Sequence, residues 1–316
     1  MASSLTRARR SALGLLVVVA ASAPSTVHAF CRTTTAAVPP SYNSATKGCF
    51  TDGLLLYWKN ACVGYSIQSP GSAKIPADTA NPIIDQAFAT WTAQTCADTG
   101  EKVGIDVKNV GAVECAEVKY NTEGPNQNLV VFRDTSWPYN DPNNTLGLTT
   151  VTFNADTGEI YDADMEINAT GSNLTTGDPV PRTGYDLLSV LTHEAGHFYG
   201  LGHAQTSTST MYASYRQGSS ALRSLSMDDV AGLCSIYPNA TQRVVSPQVS
   251  ADGLLAAGPC DSAPRHGFGN TCASNAAPSD SKGGCAAAPA RATSTSAYVM
   301  ALLGVGWVVV RRRRRR

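Results

Sequence analysis

The chain has 316 residues, and its 24 basic residues balance its 24 acidic ones. Nine of the basic residues are arginines at the two ends, three within residues 1–10 and six at residues 311–316. Without these nine, the middle of the chain carries a charge of about −9, which excludes the basic face that nucleic-acid binding requires. A charged fraction of 15% and a hydrophobic fraction of 43% are typical of a folded globular protein.

Residues 1–29 have the pattern of a secretory signal. A basic start precedes an apolar run at residues 13–21 and the small-residue cleavage sequence Val27-His28-Ala29. The run is shorter than the roughly 20 apolar residues that span a membrane, which favours a cleaved signal over a transmembrane helix. Arg9-Arg10 is compatible with twin-arginine export, but the rest of that motif is weak, and the general export route is favoured. The mature chain is predicted to begin near Phe30.

Export to an oxidising compartment agrees with the cysteine content. The nine cysteines are Cys31, Cys49, Cys62, Cys96, Cys115, Cys234, Cys260, Cys272 and Cys285. No two of them form a CxxC pair, so a cysteine zinc site or a thioredoxin-like motif is not expected. Without Cys285 there are eight, enough for four disulfides. Proximity in sequence predicts two pairs, Cys31 with Cys49 and Cys260 with Cys272.

Residues 30–53 form a cysteine-bearing leader, and residues 54–239 have the pattern of a compact α+β domain. Short apolar stretches predict strands at residues 62–67, 103–107, 129–132 and 148–153. After the first strand, Asn81 is predicted to cap a helix that begins with Pro82. The buried face of this helix is predicted to consist of Ile84, Ala87, Phe88 and Trp91.

The segment 159–167 alternates as a strand with two different faces does. Its apolar face carries Tyr161, Ala163, Met165 and Ile167. Its acidic face carries Asp162, Asp164 and Glu166. Calcium prefers carboxylate ligands, so the acidic face is a candidate calcium site. A solvent-exposed strand face explains the same pattern equally well, and both interpretations stay open.

Two helices follow in the predicted order. Asp186 is placed to cap a helix with an apolar stripe, and Ser226 with Asp229 forms a capping box for a last helix. The stripe consists of Leu188, Leu191, Ala195 and Phe198. Asp228 and Asp229 are interpreted as charges that favour the helix N-terminus rather than as metal ligands.

Residues 240–284 are rich in Ala, Ser, Pro and Gly and are predicted to be a linker. The last segment, 285–316, begins with Cys285 and continues with an apolar run at residues 297–310 and the terminal arginines. A tail anchor in the membrane is one interpretation, with the arginines retained on the inner side. The segment also resembles the C-terminal sorting segment of myxobacterial secreted proteins, which implies that Cys285 is the point of processing and lipid attachment.

The stretch from His193 to His203 has the sequence HEAGHFYGLGH. Histidines four apart on a helix point in one direction, so His193 and His197 can bind the same metal ion. Gly200 permits the turn that ends the helix, and His203 can then return as a third ligand. Three protein ligands leave one position for water, as a catalytic zinc site requires, and Glu194 is placed to take a proton from that water.

A helix with internally satisfied histidines is the simpler interpretation of this stretch. Five fixed residue types recur by chance at about one start in three million, which argues against it. Of the other two histidines in the chain, His28 lies in the signal and His266 in the predicted linker. The compact domain therefore uses all of its histidines in one motif.

The motif resembles that of the metzincin metallopeptidases, in which a methionine turn lies below the zinc. Met211 stands eight residues after the third histidine, at the expected distance. The stretch MYASY at residues 211–215 is closer to the matrixin pattern than to the astacin pattern, and residues 225–232 resemble the last helix of matrixins. The resemblance implies a zincin-like α+β fold with a twisted mixed sheet, an active-site helix and a C-terminal helix. It also implies that Tyr215 lines the pocket for the side chain after the cleaved bond.

Two features depart from the matrixin pattern. Matrixins bind a second, structural zinc through histidines, and none is left over here, so no second zinc of that kind is expected. A Pro-Arg-Cys-Gly pro-segment is also missing, and Cys31 is expected in a disulfide. Latency through a cysteine thiolate on the zinc is therefore not expected.

The resulting hypothesis is an exported, surface-anchored zinc endopeptidase with Glu194 as general base. Its expected partners are a protein or peptide substrate, the export and sorting machinery, and the membrane through the C-terminal segment before processing. Its expected location is the cell surface, the outer membrane or the extracellular space. A catalytically silent surface adhesin or structural protein on the same fold and a zinc hydrolase of a non-protein amide are the alternatives.

Overall fold

The computed structural model describes residues 29–39, 41–270 and 272. Cys285, the C-terminal segment and all but the last residue of the predicted signal lie outside the described residues. The helices and strands are β1 (Cys31–Arg32), α1 (Ser44–Lys47), β2 (Cys62–Gln68), α2 (Ala77–Thr92), β3 (Asp106–Val113), β4 (Leu129–Arg133), β5 (Gly147–Phe153), β6 (Ile160–Asn168), β7 (Leu174–Thr175), β8 (Tyr185–Asp186), α3 (Leu187–Phe198), β9 (Leu201–Gly202), α4 (Met227–Cys234), β10 (Gln242–Val244) and β11 (Leu254–Ala256). None of the described helices is long and apolar enough to cross a membrane.

Five strands form the central sheet in the order β3-β2-β4-β6-β5. Neighbouring strands are parallel except β5, which runs antiparallel beside β6 at the edge. This mixed sheet, together with the helices, confirms the predicted α+β class. Four of the predicted strands agree with the structure to within one residue at each end. The strand predicted at 103–107 begins only at Asp106, because Val103 and Ile105 are buried in a loop before it.

Helix α2 packs against α3, and both contact the sheet. The residues predicted for its buried face are all at most 2% exposed: Ile84, Ala87, Phe88 and Trp91. The predicted start is wrong, because the helix begins at Ala77 and contains both Asn81 and Pro82. Pro82 removes one backbone N–H from the helix. The buried apolar face, which lies mostly after Pro82, stabilises the helix in spite of this loss.

The acidic side chains of β6 are buried, so the interpretation as a solvent-exposed face is wrong. Asp162, Asp164 and Glu166 are 1%, 2% and 0% exposed. β6 is an inner strand of the sheet, with β4 and β5 as its neighbours. Besides the main core, the described residues contain a second, smaller cluster of buried apolar side chains, which includes Cys115 and Leu129. Alternation alone predicts two chemically different faces, but it does not show whether the polar face is covered by other parts of the chain.

Protein groups occupy several of these carboxylate oxygens. Glu166 pairs with Arg133, and Asp164 accepts a hydrogen bond from the backbone nitrogen of Leu129 at 2.8 Å. Oδ1 of Asp162 has no hydrogen-bond partner in the described part of the chain. Burial raises the pKa of Asp162 to about 7, and burial together with the Asp162 charge raises the pKa of Asp164. Calcium binding at this strand stays a prediction.

Residues 240–270 pack against the domain, whereas the sequence predicts a linker here. β10 and β11 form an antiparallel hairpin. The guanidinium of Arg243, whose side chain is fully buried, donates to the backbone oxygens of Trp58 and Asn60, both at 2.9 Å. Composition predicts a linker because this segment has few apolar residues. Its structure depends instead on hydrogen bonds and disulfides to distant parts of the chain.

All eight cysteines of the described residues form disulfides. The pairs are Cys31–Cys49, Cys62–Cys260, Cys96–Cys234 and Cys115–Cys272. The predicted pair Cys31–Cys49 is confirmed, and the predicted pair Cys260–Cys272 is wrong. Proximity in sequence misleads here because the chain after α4 returns to the sheet, where each of these two cysteines meets a partner more than 150 residues away.

Candidate metal centre

Helix α3 is buried along its whole length and carries His193 and His197 one turn apart. Asp186 caps the helix as predicted, accepting a hydrogen bond from the backbone nitrogen of Ser189 at 2.9 Å. The same carboxylate pairs with Arg223. The helix is thus fixed at its N-terminus and by packing on all sides, which holds the two imidazoles in a rigid element.

The third histidine arrives through the turn predicted after the helix. Gly200 has a φ of 97°, the left-handed conformation that favours glycine, and β9 then pairs with β1 and leads to His203. The candidate ligand atoms of the three histidines lie within 4.8 Å of one another, and Nε2 of His197 is 3.2 Å from Nε2 of His203. Two nitrogens bound to one tetrahedral zinc lie about 3.3 Å apart, so the donor set fits zinc. Among the described residues no other set of three or more His, Cys, Asp or Glu side chains, the acidic face of β6 included, brings its ligand atoms this close together.

Two backbone oxygens set the tautomers of the helical histidines. The Thr210 oxygen is 2.6 Å from Nδ1 of His193, and the Leu201 oxygen is 2.8 Å from Nδ1 of His197. A carbonyl only accepts, so each Nδ1 donates and each Nε2 keeps the lone pair that a metal needs. Burial lowers the pKa of His193 to about 3 and that of His197 to about 4. Burial and the neighbouring imidazoles also lower the pKa of His203, so all three rings are neutral at pH 7.

Glu194 follows the first histidine and is 3% exposed. Its Oε2 accepts a hydrogen bond from Thr149 at 2.8 Å, and its Oε1 lies 3.4 Å from the Tyr215 hydroxyl. Burial raises the pKa of Glu194 to about 7, although these two hydrogen bonds act in the opposite direction. A carboxylate with this pKa can take up and release a proton near neutral pH.

Met211 packs directly against the active-site helix. It is 2% exposed, and its sulfur lies too close to Gly196 to leave room for a Cβ there, which explains the glycine in the motif. Asp229 accepts hydrogen bonds from the backbone nitrogens of Thr210 and Met211 at 2.8 and 3.2 Å. The predicted capping box at Asp229 is present, and the same buried carboxylate also organises the methionine turn. Through the Thr210 oxygen, that turn is connected to His193.

A cavity of about 480 Å³ lies in front of the histidines and Glu194. Its wall includes residues 144–147, which lead into β5, residues 212–215, and part of the leader with Tyr42 and Phe50. The ring of Tyr215 lies 5.3 Å from that of His193. Its position is compatible with the predicted role in a substrate pocket, and that role stays a prediction.

Sequence reasoning misses Thr149, the second role of Asp229 and the leader as part of the cavity wall. For Thr149 a signal exists, because it lies on the same strand face as the buried Val151 and Phe153, where a hydroxyl requires a partner. For the leader, local sequence contains no such signal. Its place beside the histidines depends on the pairing of β1 with β9.

Comparisons with known proteins agree with this geometry. A family model described as Peptidase_M10, Matrixin, matches residues 57–238. Matrilysin of Mus musculus is 30% identical over 184 residues, which are 57% of this chain and 59% of that protein. Matrilysin of Rattus norvegicus is 35% identical over 102 residues, 32% of this chain and 35% of that protein. Metalloendoproteinase 1-MMP of Arabidopsis thaliana is 43% identical over 70 residues, 22% and 19% of the two chains.

Each of these matches covers less than two thirds of the relative's own length. The family model, in contrast, covers more than half of this chain, including the three histidines, Glu194 and Met211. The mixed sheet and the two helices behind these residues agree with it. The chain belongs to the matrixin family of metallopeptidases.

Proposed function

We propose that the chain is a zinc metalloendopeptidase that hydrolyses peptide bonds in proteins. The observation that carries the proposal is the convergence of His193, His197 and His203 beside the buried carboxylate of Glu194. The donor set suits one zinc ion, and one of the similar proteins is named a metalloendoproteinase.

A zinc ion held by the three imidazoles would supply Lewis-acid activation of a water molecule and of the scissile carbonyl. Glu194 acts as general base. Its carboxylate takes a proton from the attacking water and then passes this proton to the leaving amine. With a pKa of about 7, Glu194 can alternate between its two protonation states near neutral pH. Tyr215 is proposed to line the pocket for the side chain after the cleaved bond.

The substrate backbone is proposed to bind along β5. This edge strand has a neighbour in the sheet on one side only, and the residues at its start line the cavity. An extended peptide can add to such an edge through backbone hydrogen bonds, while its side chains decide specificity. A protein or peptide substrate suits this arrangement better than a small non-peptide amide does.

We further propose that the enzyme acts outside the cell, at the surface or in the medium. Four disulfides among the described residues are typical of an oxidising compartment. Attachment through Cys285 would follow export and sorting. The Cys285→Ser variant should then shift the protein from the cell surface into the medium, and an unchanged distribution would contradict the attachment.

The test of the catalytic proposal compares zinc-loaded wild-type protein with Glu194→Ala on casein and fluorogenic peptides. Glu101→Ala, which removes an exposed carboxylate outside the cavity lining, is the matched control. Loss of a general base should lower kcat by about 10²–10⁴-fold. The control should keep wild-type activity, and all three proteins should bind zinc equally.

Each alternative corresponds to a different result. Equal activity of wild type and Glu194→Ala would contradict the mechanism, and absence of zinc in metal analysis would contradict the site. A zinc-loaded wild type without any hydrolytic activity would favour an adhesin or structural protein. Hydrolysis of non-peptide amides alone would favour the other zinc hydrolase.

A further inference from the structure

Thr149 of β5 contacts the general base from the side of the sheet. Its hydroxyl lies 2.8 Å from Oε2 of Glu194 and 3.1 Å from the Glu194 backbone oxygen. We propose that Thr149 is a positioning residue that fixes the orientation of the Glu194 carboxylate for proton transfer. The proposal rests on the proposed function, because Thr149 acts through the general base of that site.

The contact is buried and joins two regular elements. Thr149 and Glu194 are 2% and 3% exposed, so water does not readily replace their hydrogen bond. Thr149 lies opposite Met165 in the ladder between β5 and β6, and Glu194 lies in the middle of α3. A carboxylate held between a strand and a helix has a better defined position than one held by a loop.

The two oxygens of the Glu194 carboxylate have different surroundings. Oε2 accepts the hydrogen bond from Thr149 at 2.8 Å, whereas Oε1 accepts only a longer one, at 3.4 Å, from the Tyr215 hydroxyl. Gly147, two residues earlier on the same strand face, leaves the space for Oε1, since a Cβ there would lie 2.7 Å from it. Strand β5 thus holds one oxygen and makes room for the other. This defines one orientation of the carboxylate, with Oε1 as the oxygen that accepts the proton.

A purely structural role would not require the contact with Oε2. A buried threonine hydroxyl donates one hydrogen bond, and the Glu194 backbone oxygen is already within reach. The shorter distance is the one to the reacting side chain, and hydrogen bonds to an ionised carboxylate are stronger than those to a neutral carbonyl. The hydroxyl of Thr149, rather than the volume of its side chain, is therefore the feature to test.

The test measures kcat, KM and zinc content in Thr149→Val, Thr149→Ala and Thr149→Ser. Thr152→Val, on the opposite face of the same strand, is the matched control and should match wild type. Thr149→Val keeps the side-chain shape and loses the hydroxyl, so kcat should fall about tenfold while KM changes by less than about twofold. Thr149→Ser keeps the hydroxyl and should recover most of kcat.

Two further measurements show whether the effect passes through Glu194. In a Glu194→Ala background, Thr149→Val should cause no additional loss of the residual rate. A crystal structure of zinc-free Thr149→Val should show the Glu194 carboxylate rotated away from its wild-type orientation, and this observation needs no activity.

Wild-type kcat in Thr149→Val would overturn the proposal, as would a Thr149→Ser variant as slow as Thr149→Val. Loss of folding or of zinc in both Thr149→Val and Thr149→Ala would assign the residue a structural role and would also overturn it. An inactive zinc-loaded wild type would overturn the proposed function instead. The crystal structures would still decide whether Thr149 orients the carboxylate.

Discussion

The metal centre and the two flanking segments of the domain are built in opposite ways. Residues 193–211 supply the three histidines, the general base and the methionine within one stretch of chain, whose strand β9 also pairs with β1 of the leader. The described residues of the leader and of the segment after residue 239 are instead held by distant partners. The guanidinium of Arg32 in the leader, for example, donates to the backbone oxygen of Val244 at 2.8 Å.

The metal centre and the flanking segments differ in whether their structure depends on neighbouring residues in the sequence or on distant ones. In the metal centre, helical spacing, one glycine turn and backbone oxygens on the imidazoles are local features. In the flanks, disulfides and the hydrogen-bonded guanidiniums of the half-buried Arg32 and the buried Arg243 replace an apolar core of their own. Changes in the metal centre should therefore affect metal binding and catalysis, whereas changes in the flanks should affect stability and the shape of the cleft.

The largest effect is expected when a metal ligand is removed by His203→Ala. Loss of a group behind a ligand costs 10–100-fold in metal affinity, so loss of the ligand itself should cost more than about 100-fold. Competition with a chelator measures this affinity. His266→Ala removes an exposed histidine and should bind zinc as wild type does. Because His203 is only half-buried, the Tm of the zinc-free variant should stay near the wild-type value, and a strongly lowered Tm would contradict the separation of the two regions.

The same separation explains what the sequence could predict. Helical spacing was sufficient for His193 and His197, and alternation was sufficient for the strand that carries Asp162. Neither pattern contains information on what covers a surface. The buried state of Asp162, the partner of Cys260 and the place of Phe50 in the cavity wall all depend on segments that meet only after folding.

The next largest effect is expected when one flank is released by the double variant Cys62→Ala/Cys260→Ala. This disulfide joins β2 to the chain after β11, across 198 residues. Loss of a native disulfide of this kind costs about 2–5 kcal/mol in the free energy of unfolding. Urea denaturation measures the loss, and zinc stoichiometry should remain unchanged. Loss of zinc together with stability would show that the flank also supports the metal centre.

A smaller effect, about 1 kcal/mol in the free energy of unfolding for each pH unit, is expected from the buried Asp162 when pH changes. Its pKa is raised to about 7 by burial, from the ordinary 3.8. Between about pH 4 and 7 the folded chain holds a proton that the unfolded chain releases, so the free energy of unfolding falls as pH rises. Asp162→Asn lacks this proton, and in EDTA wild type should lose stability relative to the variant over that range.

The same stability measurement is repeated with excess calcium. If Asp162, Asp164 and Glu166 bind calcium, excess calcium should restore wild-type stability near pH 7 and leave Asp162→Asn unchanged. The zinc ligands are identical in both proteins, so their contribution cancels in the difference. Equal pH dependence of the two proteins in EDTA would contradict the raised pKa, and indifference of wild type to calcium would contradict the calcium site.

The smallest effect is expected where the two regions meet, at the part of the leader that lines the cavity. Phe50 packs edge-on against Tyr42 with ring centroids 5.3 Å apart, and both rings line the cavity. Phe50→Ala removes apolar surface that a bound substrate would cover, worth about 1 kcal/mol, so KM should rise about fivefold with kcat unchanged. Phe268→Ala, which removes a partly exposed ring outside the cavity lining, is the control and should leave KM unchanged. An unchanged KM in Phe50→Ala would show that the leader borders the cleft without contacting the substrate, and a lowered kcat would show that the leader also orders the metal centre.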